Sequence, residues 1–298
     1  MSSQREYRSL SEAISDINCG RAVIDKMRPV SGGDINDACI CLLSDGSRLF
    51  MKSNRRDNID FFRKESAGLL AIKQAGTINT PEVLGFGTEG DSSFLLLSCI
   101  DSKQPSPSFH ENFGRNLALL HSSPADSYVI SGKFGFYHDN YIGAGYQINH
   151  AKDSWLEFFR ECRLKPQFDR AERFFDPPMI KKCASLLDRL DSYLIEPAFP
   201  SLLHGDLWSG NYMTGPDGEA WLIDPAVYVG HYEADIAMTE LFGGFSDAFY
   251  SAYHEVRPEI SGYKDRKDLY NLYHLLNHLN LFGGSYFYSV KRILERYS

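Results

Sequence analysis

The chain has 298 residues, 43% of them hydrophobic and 23% charged, with a formal net charge of -8. That length exceeds one modest domain and suits two packed lobes, and the composition is that of a folded protein without repeats or low-complexity runs. The acidic balance argues against a nucleic-acid binder, which needs a basic face, and serves solubility instead.

The N-terminal Met1–Leu10 is polar and lacks the apolar core of a secretion signal. No stretch approaches the roughly 18 apolar residues of a membrane span, so no membrane partner is expected. The cysteines at 19, 39, 41, 99, 162 and 183 form no Cys-x-x-Cys pair and no zinc-like spacing. They are expected to be buried free thiols in a reducing compartment, which places the chain in the cytoplasm.

In chain order, Leu10, Ile14 and Ile17 predict a helix over residues 6–19. Strand-like runs follow at Met27–Val30, Ala38–Leu43 and Arg48–Lys52, joined by Gly- and Asp-bearing turns. A helix is expected over 58–75, ended by Gly76, then strands at Glu82–Phe86 and Ser93–Cys99. Asp101–Ser108, with Pro105 and Pro107, reads as a linker. Beyond it helices dominate, near 109–122, 153–172, 178–195, 233–242, 246–256, 265–281 and 286–296. Short strands near 211–214 and 220–223 flank a Pro216-Asp217-Gly218 turn. The expected architecture is α+β and bilobal: a small antiparallel β-sheet N-lobe over residues 1–100 and a mainly helical C-lobe over 101–298. A site is expected where the lobes meet, because ligand clefts favour domain junctions.

Residues 201–224 carry the chemistry. His204, Asp206 and Asn211 follow an apolar run where a strand would end, and Asp224 follows Trp221-Leu222-Ile223. The order is Asp, then Asn five residues on, then Asp thirteen further on. Phosphoryl transfer uses such a set: Asp206 to orient the attacking hydroxyl and accept its proton, Asn211 and Asp224 to hold magnesium against the phosphates. The spacing matches the His-x-Asp-x-x-x-x-Asn loop and downstream metal Asp of kinases. Gly205 in place of Arg, and Asp224-Pro225-Ala226 in place of Asp-Phe-Gly, point away from protein kinases and toward small-molecule kinases.

The front half offers a second, independent sign. Glu65 shares a helical face with Phe61, Phe62 and Leu69, so its carboxylate needs a partner. Lys52, ending the third strand, is the natural one, and such a pair holds the lysine against nucleotide phosphates. Gly32, Gly33 and Asp34 form a turn that could cover the phosphates or close a plain hairpin. Ser98, Cys99 and Ile100 enter the linker where backbone groups would meet an adenine edge.

Together with Asp224-Pro225-Ala226, the segments His204–Asn211, Gly230–Met238 and Thr239–Phe245 resemble the fructosamine/ketosamine-3-kinase family. So do Gly32–Asn36, Phe134-Gly135-Phe136, Asn140–Gly143, Trp155, Phe158 and Phe159, and the likeness runs from about residue 20 to 290. The resemblance implies a protein-kinase-like fold of the aminoglycoside phosphotransferase branch. It also implies ATP, Mg2+ and transfer to the 3-hydroxyl of a sugar joined to an amine as a ketoamine, small or protein-bound. By the same resemblance Asp206 is the base, Asn211 and Asp224 bind metal, Lys52 and Glu65 form the nucleotide ion pair, and Asp235 braces the loop with His204. Two departures stand out. Gln147-Ile148-Asn149-His150-Ala151 replaces a common Gln-Pro-Asn-Gly-Trp stretch on the substrate side, and Asp34 replaces a loop cysteine, so no thiol regulation is expected there.

Trp208 beside the base has the flat face that stacks on a sugar ring, or else closes the loop as a core residue. His231 and Glu233 either line the acceptor side or, for Glu233, favour a helix N-terminus. His121, ending an apolar helix, reads as a packed histidine. The rival readings are a kinase of the same fold acting on an aminoglycoside, choline or another small alcohol, and a nucleotide-binding module that has lost catalysis.

Overall fold

A computed structural model describes residues 5–30 and 36–297. The chain divides into two units, Met1–Phe109 with Met213–Asp224, and His110–Tyr212 with Pro225–Ser298.

The first unit is built on six strands: β1 (Glu6–Tyr7), β2 (Ile24–Pro29), β3 (Asp37–Leu43), β4 (Arg48–Arg55), β5 (Val83–Glu89) and β6 (Ser92–Ser98). Their order is β1-β5-β6-β4-β3-β2. All neighbours are antiparallel except β1, which lies parallel to β5 with Glu6 opposite Phe86 and Tyr7 opposite Gly87. The sheet is therefore mixed, where a purely antiparallel one was expected. The helix expected over 6–19 starts only at α1 (Leu10–Ile17), where the Ser9 hydroxyl accepts the Glu12 N–H as an N-cap.

Two layers cover this sheet. Leu10, Ala13 and Ile14 of α1 pack with Leu49, Met51, Phe94 and Leu96, while α2 (Ile59–Ala75) brings Phe62 and Leu69 against Phe86, Leu95 and Leu97. Consecutive residues of β6 thus go to opposite faces and both faces are buried, which is why Phe94–Leu97 reads as an unbroken apolar run. The same alternation puts Leu49 and Met51 on the α1 side of β4 and leaves Lys52, with Phe50, on the α2 side.

The second unit is mainly helical. After α3 (Phe109–Leu120) come a small hairpin, β7 (Asn140–Ile142) with β8 (Gly145–Gln147), and the helices α4 (Trp155–Phe158), α5 (Lys165–Ala171) and α6 (Pro177–Asp188). Between α4 and α5 the expected continuous helix passes through a π-helical stretch, Phe159–Leu164. Pro166 follows it and has no N–H to offer the Cys162 carbonyl at i-4; Arg163 Nη1 donates to that carbonyl instead, at 2.9 Å. Next comes β9 (Ser201–Leu203); the hairpin of β10 (Tyr212–Thr214) and β11 (Ala220–Leu222) belongs from Met213 onward to the first unit, and β12 (Tyr228–Gly230) returns antiparallel to β9. The helices α7 (Glu233–Leu241), α8 (Asp247–Val256), α9 (Tyr263–Phe282) and α10 (Phe287–Tyr297) complete the unit. The long α9 packs on α5, α7 and α10, over a core rich in rings: Trp155, Phe158, Phe159, Tyr228 and Tyr270 are all buried. No helix of the described residues is long and apolar enough to cross a membrane.

Candidate active site

In the second unit the loop His204–Asn211 leaves the buried end of β9, fixed by the Tyr228–Leu203 pairing of the ladder. Asp235, in the first turn of α7 and fully buried, accepts the N–H groups of His204 at 2.7 Å and Gly205 at 2.9 Å. His121 reaches the same carboxylate through Nε2 at 3.2 Å, and its Nδ1 lies 2.8 Å from the Tyr253 hydroxyl. With Nε2 carrying the proton, Nδ1 accepts from Tyr253, so every polar atom of this buried histidine is satisfied. Burial works against the Asp235 carboxylate, but the His121 contact and the Gly205 N–H outweigh it and hold its pKa below the usual value.

On this brace the loop presents its polar groups. Asn211 Nδ2 donates to the Asp206 carbonyl at 2.7 Å and to Asp206 Oδ2 at 3.2 Å, so the two side chains share one side of the loop. The Asp206 N–H points to His204 Nδ1 at 3.3 Å, and Leu207 is buried beneath. Trp208 is no core residue. It keeps 38% of its surface exposed, folds its indole over Gly210, where a Cβ would lie 2.4 Å from the ring, and meets Phe242 edge-on at 6.2 Å.

The first unit gathers a second set. Lys52 Nζ donates to Glu65 Oε1 at 2.7 Å and also to Asp224 Oδ1. Burial opposes the ammonium, yet the charges of Glu65 and Asp224 prevail and raise its pKa, so it stays protonated. Asp224 holds a left-handed backbone, φ 53°, a conformation that costs a non-glycine residue energy and that recurs at functional sites. Its hairpin is strapped down within the same unit. The Leu222 N–H donates to the Asn79 carbonyl at 2.8 Å, Asn79 Nδ2 to Asp217 at 2.9 Å, and the Ser106 N–H to the Gly218 carbonyl at 2.9 Å. At the end of β6, the Ser98 hydroxyl accepts the Glu82 N–H at 2.8 Å; Cys99 and Ile100 follow in irregular backbone, and burial pushes the Cys99 thiol up. Gly32, Gly33 and Asp34 lie outside the described residues.

His231 and Glu233, read either as lining the acceptor side or, for Glu233, as favouring a helix N-terminus, are inside the helical unit, with Glu233 in the first turn of α7. Both are buried, and Glu233 is gripped by the Arg266 guanidinium at 2.6 and 2.8 Å. That ion pair compensates a carboxylate with no access to water, a packing arrangement that takes Glu233 away from any acceptor surface. The Arg266 partner lies 33 residues away, so nothing near Glu233 in sequence announces it.

The buried histidines predict an acid-sensitive fold. Burial drives the pKa of His231 and of His274 from 6.5 down to about 3, so both stay neutral while folded. Unfolding returns them to ordinary values, so below pH 6.5 the unfolded chain takes up protons that the folded chain refuses. Stability is therefore lost as pH falls through that range, and the two rings together cost about 3 kcal/mol between pH 7.5 and 5.5. A urea midpoint unchanged across that interval would contradict this placement.

The fold that carries these groups is the protein-kinase-like one shared by solved fructosamine kinases and aminoglycoside phosphotransferases. The sequence matches the fructosamine kinase family over residues 7–298, and the chain belongs to that family. It is 39% identical over 302 residues to the "Probable ketoamine kinase" of Synechocystis sp., covering 99% of this chain and 98% of that one. It is 38% identical over 273 residues to the chloroplastic protein-ribulosamine 3-kinase of Oryza sativa subsp. indica, covering 90% of this chain and 77% of that one. Among solved structures, one from Haemophilus somnus assigned as a fructosamine-3-kinase superposes with TM-score 0.86 at 29% identity, covering 97% and 96% of the two chains. The chain is thus a phosphotransferase of the fructosamine/ribulosamine kinase kind, with a sugar hydroxyl as acceptor.

Proposed function

We propose that the chain transfers the γ-phosphate of ATP to the 3-hydroxyl of a ketoamine sugar, with Asp206 as the base. The observation that carries this reading is the Asp206–Asn211 pair, hydrogen-bonded within a loop that Asp235 holds by two backbone N–H groups. Asp206 accepts the proton of the attacking hydroxyl and fixes its direction. Lys52, kept charged and aimed by Glu65, meets the negative phosphates. The open face of Trp208 stacks on the apolar side of the sugar ring.

The residues present suit a magnesium ion. The nitrogen of the Asn211 amide is tied to Asp206, which leaves its oxygen as a donor, and Asp224 keeps 47% of its side chain exposed beyond the Lys52 contact. Asn211 and Asp224 would hold the ion through hard oxygen atoms, and it would supply the countercharge for the transferred phosphate.

In the phosphorylated adduct, loss of a C1 proton beside the C2 ketone lets inorganic phosphate leave C3, and water then cleaves the resulting C1 imine to the free amine and a 3-deoxy dicarbonyl sugar. A deglycating, repairing role in the cytoplasm follows, and six free cysteines fit a reducing compartment.

The test is a panel of acceptors with ATP and magnesium, read by ADP release and by phosphorus NMR of the product. Ribulosyl- and fructosyl-lysine should be phosphorylated at C3. ADP release with aminoglycosides or choline instead, or with no acceptor at all, would overturn the proposal.

A further inference from the structure

Arg163 is the most conspicuous side chain that the proposed chemistry leaves unused. It is completely buried, yet among the described residues no carboxylate pairs with it. Its guanidinium lies 3.9 Å from the ring centre of Tyr228, 4.6 Å from that of Phe158 and 5.5 Å from that of Tyr273. Planar guanidinium stacks on such faces as a compact ammonium does not. Its forks donate to the Ile148 carbonyl at 2.6 Å and to Asn149 Oδ1 at 2.8 Å. A buried cation is costly, and one held without a countercharge calls for a reason.

Its contacts lead to one place. Asn149 Nδ2 donates to Asn140 Oδ1 at 2.8 Å, and Asn140 Nδ2 donates to the Val227 carbonyl at 2.8 Å. Gln147 Nε2 donates to the Ala226 carbonyl at 3.0 Å and to Asn140 Oδ1 at 2.8 Å, while its own oxygen accepts the Tyr273 hydroxyl at 2.6 Å. The network thus ends on two successive carbonyls, Ala226 and Val227. The Ala226 N–H in turn donates to the His204 carbonyl at 2.9 Å. Tyr228, under the Arg163 guanidinium, pairs with Leu203 immediately before the loop. Gln147 and Asn149 both face inward, each about 1% exposed.

We propose that Arg163, Asn140, Gln147, Asn149 and Tyr273 are positioning residues for Asp206: they fix the Ala226–Tyr228 backbone, which serves as the upper clamp on the His204–Asp206 loop while Asp235 is the lower one. A connected buried polar network is stiff, and its stiffness sets where the carboxylate sits. This rests on Asp206 being the base, so one arm of the test needs no turnover.

Tyr273→Phe removes a single hydroxyl from the network, and Gln147→Met removes its two donors at nearly constant volume. Each variant is expected to lower kcat at least about tenfold, as small misplacements of a reacting group do, with the KM for ATP within about twofold of wild type. Arg163→Lys, which keeps the charge but loses the fork and the stack, should not restore kcat. In the protein without substrates, hydrogen exchange at the Gly205 and Ala226 amides should speed up about tenfold or more in the Tyr273→Phe variant, while α8 and α9 keep their protection. Exchange unchanged at those two amides, or raised uniformly through the helices with kcat per folded molecule intact, would overturn the proposal. If exchange responds as expected but wild-type protein phosphorylates no ketoamine, the clamp stands and the reading of the reaction falls.

Discussion

Replacing Asp206 by asparagine is expected to lower turnover about a thousandfold or more while leaving nucleotide affinity within about twofold. The substitution keeps the size of the side chain and one of its oxygens, so the Asn211 contacts lose little. It removes the one carboxylate in that loop able to take a proton from the attacking hydroxyl: Asn211 is an amide, and His204 is buried behind the loop. Lys52 holds Glu65 and Asp224 within the other unit, so the groups proposed to meet the phosphates are untouched. Single-turnover rates and nucleotide titration of the variant measure the two halves separately. A variant with more than about a tenth of wild-type turnover would remove Asp206 from the role of base.

The second large effect is expected at a residue with no side chain. Gly205→Ala should cost more than about 4 kcal/mol of stability, or prevent folding outright. Gly205 holds φ +82°, where an L-residue is strained. A Cβ there would also lie 2.1 Å from the Ala226 carbonyl oxygen and 3.3 Å from the Tyr228 ring. Both obstacles are backbone or fully packed ring, with Ala226 held by Gln147 and Tyr228 by the ladder with β9, so neither can yield cheaply. A control at Gly46, whose φ is also positive but where nothing lies within 4 Å of the added carbon, separates conformational strain from collision. Gly46→Ala should cost only about 1 kcal/mol. Equal losses at the two positions, measured by urea unfolding, would mean that contact with Ala226 contributes nothing.

These two residues also mark what could be read in advance. The Lys52–Glu65 ion pair was legible because one helical face and one strand end leave each needing the other, and the nearness of Asp206 and Asn211 because five residues of loop separate them. The front sheet was legible wherever strands are long and apolar, as at Phe94–Leu97. Glu6–Tyr7 was not: two residues carry no periodicity, and their pairing with Phe86 and Gly87 comes from a strand about eighty residues away. The same holds for Tyr228–Gly230, a strand of three residues fixed by β9. Glu233 looked available because its buried partner, Arg266, sits on a distant helix. Arg163 gave no warning at all, since arginine is rarely buried and the rings that enclose it come from three separate segments.

The chain visits its first unit twice, and synthesis makes that a matter of timing. Residues up to Phe109 emerge from the ribosome well before Met213–Asp224, and at about 5–20 residues per second the interval lasts roughly 6–20 seconds. During that wait the nascent N-terminal sheet has neither the Asp217 and Leu222 contacts of Asn79 nor the second carboxylate of Lys52. Its maturation therefore waits on a segment synthesised much later, and a fragment cut after the linker would carry the same deficit permanently.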